Sequence, residues 1–386
     1  MQKEETNNLT PAEIFAPGEI LQDELDARGW TQRDFGEITG LNQSVLSLLI
    51  NGKRAITPEI AKAIAEAFGT SAEFWLNLEN AYQLSQVKFD GGSVAQKAML
   101  YSLAPIAEMA KRGWIEQVKT PAELQFQLKR FFETDDLSHI PDFAMVARKS
   151  TRYDIVSVPE RAWKFRARRL AKAVHAATFD ADRFARELPK FRSLTVYPEN
   201  LRKLPALLAS FGIRLVLVAH LERTKLDGAT MWLDEERKQP VVALTLRYDR
   251  IDSFWFTLIH ELVHVKYKEC SIDSDMLSDA KGEGGAGTDD ASGMEKRAND
   301  EASDILVPPE KLKSFIMRTR PLYSRDKILG FSQLHGVHPG IVVGQLHHRK
   351  EMPPKNLREL LIQKGVRDLI AGQALTDGWG HFPGAF

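Results

Sequence analysis

One cysteine, Cys270, among 386 residues rules out an intrachain disulfide framework and suits a reducing compartment. Net charge is lacking too. Fifty-two Lys and Arg balance fifty-two Asp and Glu, so overall charge argues neither for nor against a nucleic-acid partner, and only its distribution informs. No run of eighteen apolar residues occurs, and the polar opening Met1 to Asn8 has no apolar stretch behind it. The expectation is therefore a cytoplasmic chain with no membrane partner. What is present is 43% hydrophobic and 27% charged residues, enough to bury a substantial core over a length that favours two or three domains.

From residue 17 to 83 short amphipathic helices alternate with glycine-bearing turns, at 18–28, 31–39, 42–51, 57–68 and 71–82. Phe89 to Ser93 marks a break, and 86–150 reads as a helical connecting region. Three β-rich runs follow, Ile213 to Val218, Ala229 to Leu233 and Val241 to Arg247, spaced as an antiparallel meander. A helix is expected from Asp252 to Lys268, a mobile glycine-rich loop at 278–293, and a helix from Met294 to Leu306 stopped by Pro308-Pro309. The fold class is mainly α with a small antiparallel β-sheet, α+β. Its parts are a helical head at 10–85, the connecting region, a second domain at 151–350 containing a degenerate helix-turn-helix at about 328–346, and a helical extension and tail at 351–386.

In the head, Thr31-Gln32 caps a helix, Gly36 permits a close crossing, Gly40-Leu41 makes the turn, and Val45, Leu46, Leu49 and Ile50 give the next helix a buried stripe. These are helix-turn-helix parts. In a major groove, the outward residues Asn42, Gln43, Ser44 and Ser47 would reach base edges, with Gln32, Lys53 and Arg54 nearer phosphates. The head is nonetheless acidic, six basic against thirteen acidic residues from Met1 to Ser85, a net −7. Because phosphate contacts supply most non-specific affinity, binding to operator DNA calls for a homodimer or for help from elsewhere. Thr151 to Lys203 carries thirteen basic and six acidic residues. Of these, Arg161, Lys164, Arg166, Arg168, Arg169 and Lys172 crowd one helix, which could contact phosphate, dock on the head or form a solvated face.

His260-Glu261-Leu262-Val263-His264 carries the chemistry of the second domain. Residues four apart project from one helical face, so two imidazoles can share one Zn2+ at about 2.0 to 2.1 Å each. Glu261, turned by about a hundred degrees from His260, addresses water instead. A catalytic zinc keeps three protein ligands, and Glu295 and Glu301 compete to be the third. Glu295 extends the face that carries Ala298, Ala302, Ile305 and Leu306, whereas Glu301 lies off it, so Glu295 is preferred. Asn299, one turn on, can hydrogen-bond a ligand histidine. The plain alternative is a surface helix with two stacked histidines.

The reaction this arrangement suits is peptide hydrolysis, with Glu261 moving the proton and Tyr248, Tyr267, His335 or His338 steadying the oxyanion. The strand from Val241 to Arg247 offers an edge to which an extended substrate could add. Cys270 reads more readily as a small buried hydrophobe than as a redox thiol, and His347-His348 as solvated surface.

The head, through GKRAIT from Gly52 and FWLNLENAYQL from Phe74, resembles the HigA-type antitoxin domain of the XRE superfamily. That resemblance implies a lambda-repressor-like five-helix fold and operator or promoter DNA as partner. The body, through LTLRYDRIDSFWFTLIHELVHVKYKE and MEKRANDEASDILVPPEKL, resembles the ImmA/IrrE zinc metallopeptidases from about Arg152 to Leu346. This implies a zincin-like domain holding one zinc per chain on His260, His264 and Glu295, with Glu261 as the catalytic glutamate and a repressor or antitoxin as protein substrate. The competing expectation is a non-proteolytic antitoxin or repressor whose zinc site is sensory or structural.

Overall fold

The computed structural model describes residues 15–377 apart from 88–90, 141–156, 223, 270, 275–288, 362–364 and 371. Cys270, the expected glycine-rich loop as far as 288 and the tail after Asp377 lie outside the described residues. The chain divides into two compact units, one ending at Val94 and one starting at Ala95. No helix among the described residues is long and apolar enough to cross a membrane.

The first unit contains α1 (Pro17–Arg28), α2 (Gln32–Thr39), α3 (Gln43–Ile50), α4 (Pro58–Phe68) and α5 (Ala72–Gln86). Their starts are written locally: the side chains of Thr31, Asn42, Thr57 and Ser71 each accept a hydrogen bond from a first-turn N–H. Gly40 ends α2 at φ 70°, a left-handed turn that a glycine makes without steric cost. Leu21, Leu25, Phe35, Leu46, Leu49, Ile64 and Trp75 close the core, with the Phe35 and Phe68 rings stacked at 4.9 Å. The one surprise is Glu79, buried so that its carboxylate accepts the Ile56 N–H at 3.0 Å.

Helix α6 (Gly91–Leu103) spans the division, and the second unit continues through α7 (Ile106–Lys111), α8 (Pro121–Phe131), α9 (Val158–Lys172), α10 (Ala181–Glu187) and α11 (Leu204–Ser210) into β1 (Arg214–Val218), β2 (Leu226–Trp232) and β3 (Pro240–Leu244). Then come α12 (Ile251–Lys266), β4 (Ser271–Ser274), α13 (Asp289–Leu306), α14 (Pro309–Thr319), α15 (Arg325–His335), α16 (Pro339–His348), α17 (Val366–Ile370) and β5 (Leu375–Asp377). The fold is α+β, but the meander does not form. The sheet order is β4-β2-β3-β1-β5, with β1 parallel to β3 and β5, and β2 antiparallel to β3 and β4. Strand spacing could not reveal this, because strands buried on both faces carry no polar alternation to mark their neighbours. Gly91, Gly92 and Ser93, read as a break, open α6, and α13 begins at Asp289 instead of Met294.

Period-two alternation sends Leu215 and Leu217 of β1 to one face and Val216 and Val218 to the other. On the second face the supposed connecting helices are core: Met109, Trp114, Leu128, Phe131 and Phe132 pack with Trp163 and Phe165 against the strands. Arg112 binds the carbonyls of Ala219 and His220 at 2.7 Å each. Of the basic side chains of α9, Lys164 is buried and Arg161, Arg166 and Arg168 are half-buried, whereas Arg169 and Lys172 are exposed. Arg161 holds the Leu103 carbonyl at 3.0 Å, Arg168 those of Trp232 and Leu233 at 2.7 and 3.0 Å, and Lys172 grips Glu133. These cations tie strands and helices together rather than forming a phosphate-binding stripe.

Asp377 on β5, in a tail extension with no sequence signal, accepts from both Arg166 and Trp114 and is 4% exposed. Asp377→Ala leaves the half-buried Arg166 without its carboxylate. Breaking a buried pair typically costs about 3 to 5 kcal/mol. Urea unfolding should show a loss of at least ~2 kcal/mol after discounting for the partial exposure of Arg166; an unchanged midpoint would deny the clamp its role.

Candidate metal centre

Helix α12 is no surface helix: thirteen of its sixteen residues are buried, the pattern of a helix at the centre of a domain. His260 and Glu261 are 0% exposed and His264 1%. The two Nε2 atoms stand 3.0 Å apart. Glu295 on α13 reaches both, one carboxylate oxygen 3.1 Å from His260 Nε2 and the other 3.5 Å from His264 Nε2. One donor atom from each of the three residues lies within 4.8 Å of the others. Glu301 points elsewhere, pairing with Lys266 at 2.6 Å and accepting from Tyr267 at 3.0 Å.

The outer nitrogen of each imidazole is held. His260 Nδ1 faces Asn299 Oδ1 at 3.0 Å, and His264 Nδ1 faces Glu269 Oε2 at 2.9 Å. An N–H directed at each acceptor leaves both Nε2 lone pairs aimed inward, the tautomer a metal ligand needs. Glu269, itself gripped by Arg297, escaped sequence reasoning. Thr230 on β2 did too: its hydroxyl lies 2.7 Å from Glu261 Oε2 and 2.9 Å from the Glu261 carbonyl. Opposite stands Gly228, where an added Cβ would come within 3.0 Å of Glu261 Oε1 and of Thr257 Cγ2. Glycine at this point makes the space the carboxylate occupies.

Burial lowers the His264 pKa, but the hydrogen bond to Glu295 and the charges of Glu261 and Glu295 outweigh it and raise the value to about 9. Burial raises Glu295, yet the two imidazoles draw it down to about 2. The cluster thus favours positive charge between its nitrogens and carboxylate. Two imidazole nitrogens, one carboxylate and secured outer partners form a donor set that fits zinc. Of the proposed oxyanion groups, Tyr267 donates to Glu301 and His338 caps α16 by accepting from Gly340 N–H, while the Tyr248 ring lies under the Arg247 guanidinium and the His335 ring against that of Phe331. The β-edge expected at 241–247 is absent, since β3 is flanked by β1 and β2; a local run cannot tell whether its strand is central.

The head assembles its parts as anticipated. Gly36 brings α2 against the turn, where an added Cβ would lie 3.0 Å from the Leu41 carbonyl oxygen. Asn42, Gln43, Ser44, Ser47, Lys53 and Arg54 are exposed, and Gln32 is half-buried. A family model described as helix-turn-helix matches residues 21–75. The Escherichia coli K12 protein YddM, an uncharacterized HTH-type transcriptional regulator, is 38% identical over 72 residues, 19% of this chain and 77% of that protein. The chain belongs to the helix-turn-helix family.

This helix-turn-helix chain is also similar to antitoxin HigA-1 of Vibrio cholerae, 38% identical over 68 residues, 17% of this chain and 64% of that protein, just under two thirds of its length. A solved HigA-family addiction module antidote protein from Coxiella burnetii is 33% identical, covering 19% of this chain and 82% of its own, with a TM-score of 0.19. Within the helix-turn-helix, Asn42 also serves the backbone, since its Oδ1 accepts from Ser44 N–H and Ser44 Oγ, both at 2.9 Å. That leaves Gln43 the least encumbered residue at the start of α3.

Proposed function

We propose that this chain is a DNA-binding transcriptional regulator whose second unit is a zinc-dependent endopeptidase acting on a regulatory protein such as a repressor or antitoxin. The observation that carries the peptidase reading is the convergence of His260, His264 and Glu295 beside a fully buried Glu261. A purely structural zinc has no use for a general base at that place.

Lewis acidity toward water and toward a carbonyl oxygen is the chemistry zinc would supply between His260, His264 and Glu295. Glu261 then moves the proton. Its carboxylate takes one proton from the attacking water as oxygen adds to the scissile carbonyl carbon, and returns it to the amine nitrogen as the C–N bond breaks. Thr230 donates to Oε2 and so sets the carboxylate's orientation, while Gly228 leaves room beside Oε1. Asn299 and Glu269 keep the imidazoles turned inward. The deciding experiment incubates zinc-loaded protein with a peptide mixture: cleavage that depends on Glu261 supports this function, and its absence leaves a regulator with a sensory or structural metal.

For the head, the acidic balance of Met1 to Ser85 favours a dimer reading two half-sites over a monomer. Gln43→Ala with Ser44→Ala should abolish the mobility shift of the operator while circular dichroism stays unchanged. The loss expected is about 1 to 3 kcal/mol for each base contact removed. Undiminished binding would move the recognition surface away from the start of α3.

A further inference from the structure

Helix α3 has no Lys or Arg anywhere along Gln43–Ile50. The commonest specific contact to DNA, a two-point bond from Arg or Lys to guanine, is therefore not on offer from this helix. One side of α3, at Leu46 and Leu49, is buried in the core of the head. The opposite side, at Ser44, Ser47, Leu48 and Asn51, is exposed and follows the i, i+3, i+4, i+7 spacing of a single stripe.

The polar members of that stripe are already bonded. Asn42 Oδ1 accepts both the N–H and the hydroxyl of Ser44. At the other end, Asn51 Nδ2 donates to the Ser47 carbonyl at 2.6 Å and lies 3.4 Å from the Ser47 hydroxyl oxygen. Between these pairs stands Leu48. Val45, Leu46, Leu49 and Ile50 pack with the core of the head, whereas Leu48 is 40% exposed and takes no part in it.

A single exposed leucine is ordinary on a protein surface. This one occupies the middle of the face that a helix-turn-helix turns toward the major groove. Just beyond it the chain reverses at Gly52, φ 64°, where Lys53 N–H returns to the Leu48 carbonyl at 2.8 Å. That reversal brings the exposed cations Lys53 and Arg54 to the end of the helix that carries Leu48. The occupant such a surface fits is anionic along its rim and apolar at one point.

In the major groove guanine, adenine and cytosine present donors and acceptors, and thymine adds a C5 methyl group. A leucine pressed onto a polar edge strips its water and returns no hydrogen bond, which is costly. Pressed onto the methyl group, it removes apolar surface from water on both partners. Gln43, the least encumbered polar residue of α3, matches adenine N6 and N7.

We propose that Leu48 reads the C5 methyl group of a thymine, so that the operator segment under α3 is chosen for A·T pairs; the assignment rests on the DNA-binding reading of the head. Leu48 is thus a residue that determines specificity, beside the polar residues at the start of α3.

The test uses the full chain. Duplexes it retains are selected from a random-sequence pool, and each thymine of the recovered site is replaced in turn by deoxyuridine, which keeps the base pair and lacks the methyl group. Fluorescence anisotropy should find a thymine whose replacement weakens binding about fourfold, the worth of one methyl group removed from water. Leu48→Ser and Leu48→Gln, each with an unchanged circular dichroism spectrum, should bind the thymine and deoxyuridine duplexes alike. A recovered site with no methyl-sensitive thymine, or a sensitivity that persists in both variants, would overturn the role of Leu48 and leave the DNA-binding reading standing. A pool from which the full chain retains no duplex removes that reading and the role of Leu48 with it.

Discussion

Gently purified wild-type protein is expected to carry close to one zinc per chain, with the metal lost in His264→Ala and Glu295→Ala and retained in Glu301→Ala. The geometry separates the two carboxylates. Glu295 lies within 3.1 and 3.5 Å of the inner imidazole nitrogens, while Glu301 is occupied with Lys266 and Tyr267. Removing an outer partner of a ligand histidine typically weakens metal binding about 10- to 100-fold, so Asn299→Ala should fall in that range and loss of a direct ligand should exceed it. Circular dichroism on each variant distinguishes loss of metal from loss of fold. A wild-type chain that takes up no zinc even when zinc is supplied would sink the metal centre and with it the peptidase.

Glu261→Gln is expected to keep its zinc and to lose about 10²- to 10⁴-fold in peptide hydrolysis, the usual worth of a general acid–base group. Glutamine has nearly the same shape, and its amide oxygen can still accept from Thr230, so the space beside Gly228 stays filled. What disappears is the capacity to take up a proton and return it. Steady-state cleavage of a fluorogenic peptide, with zinc content measured on the same samples, reads both effects. Undiminished hydrolysis in Glu261→Gln would assign the proton transfer to another group.

How legible the site was depended on distance along the chain. His260, Glu261 and His264 share one helix, and Glu295 and Asn299 share another, so a period of 3.6 residues sufficed to order each set. Glu269 was hidden by its backbone. After α12 the chain reverses through Lys268 at φ 56°, with Glu269 N–H returning to the His264 carbonyl at 2.8 Å and Lys268 N–H to that of Val265 at 3.0 Å. This closure normally announces itself by a glycine, and here a lysine occupies the left-handed position. Thr230 was hidden by separation, thirty-one residues and a strand pairing away from Glu261.

By itself the sequence determined the elements. The caps at Thr31, Asn42, Thr57 and Ser71, the turn at Gly40, the apolar α12 and the histidine spacing are all short-range, each settled by neighbours within one or two helical turns. Tertiary structure decided what those elements meet. It placed β3 between β1 and β2, so that the strand leading into α12 has no free edge. It drew α6 to α8 into the core instead of leaving them as a connector, turned Arg161, Arg166 and Arg168 of α9 onto carbonyls and Asp377, and separated Glu295 from Glu301. The physical reason is common to these cases. Hydrophobic burial is non-directional and tells a segment to be covered without naming its cover, and a charged side chain reads the same in sequence whether it faces water or a buried partner.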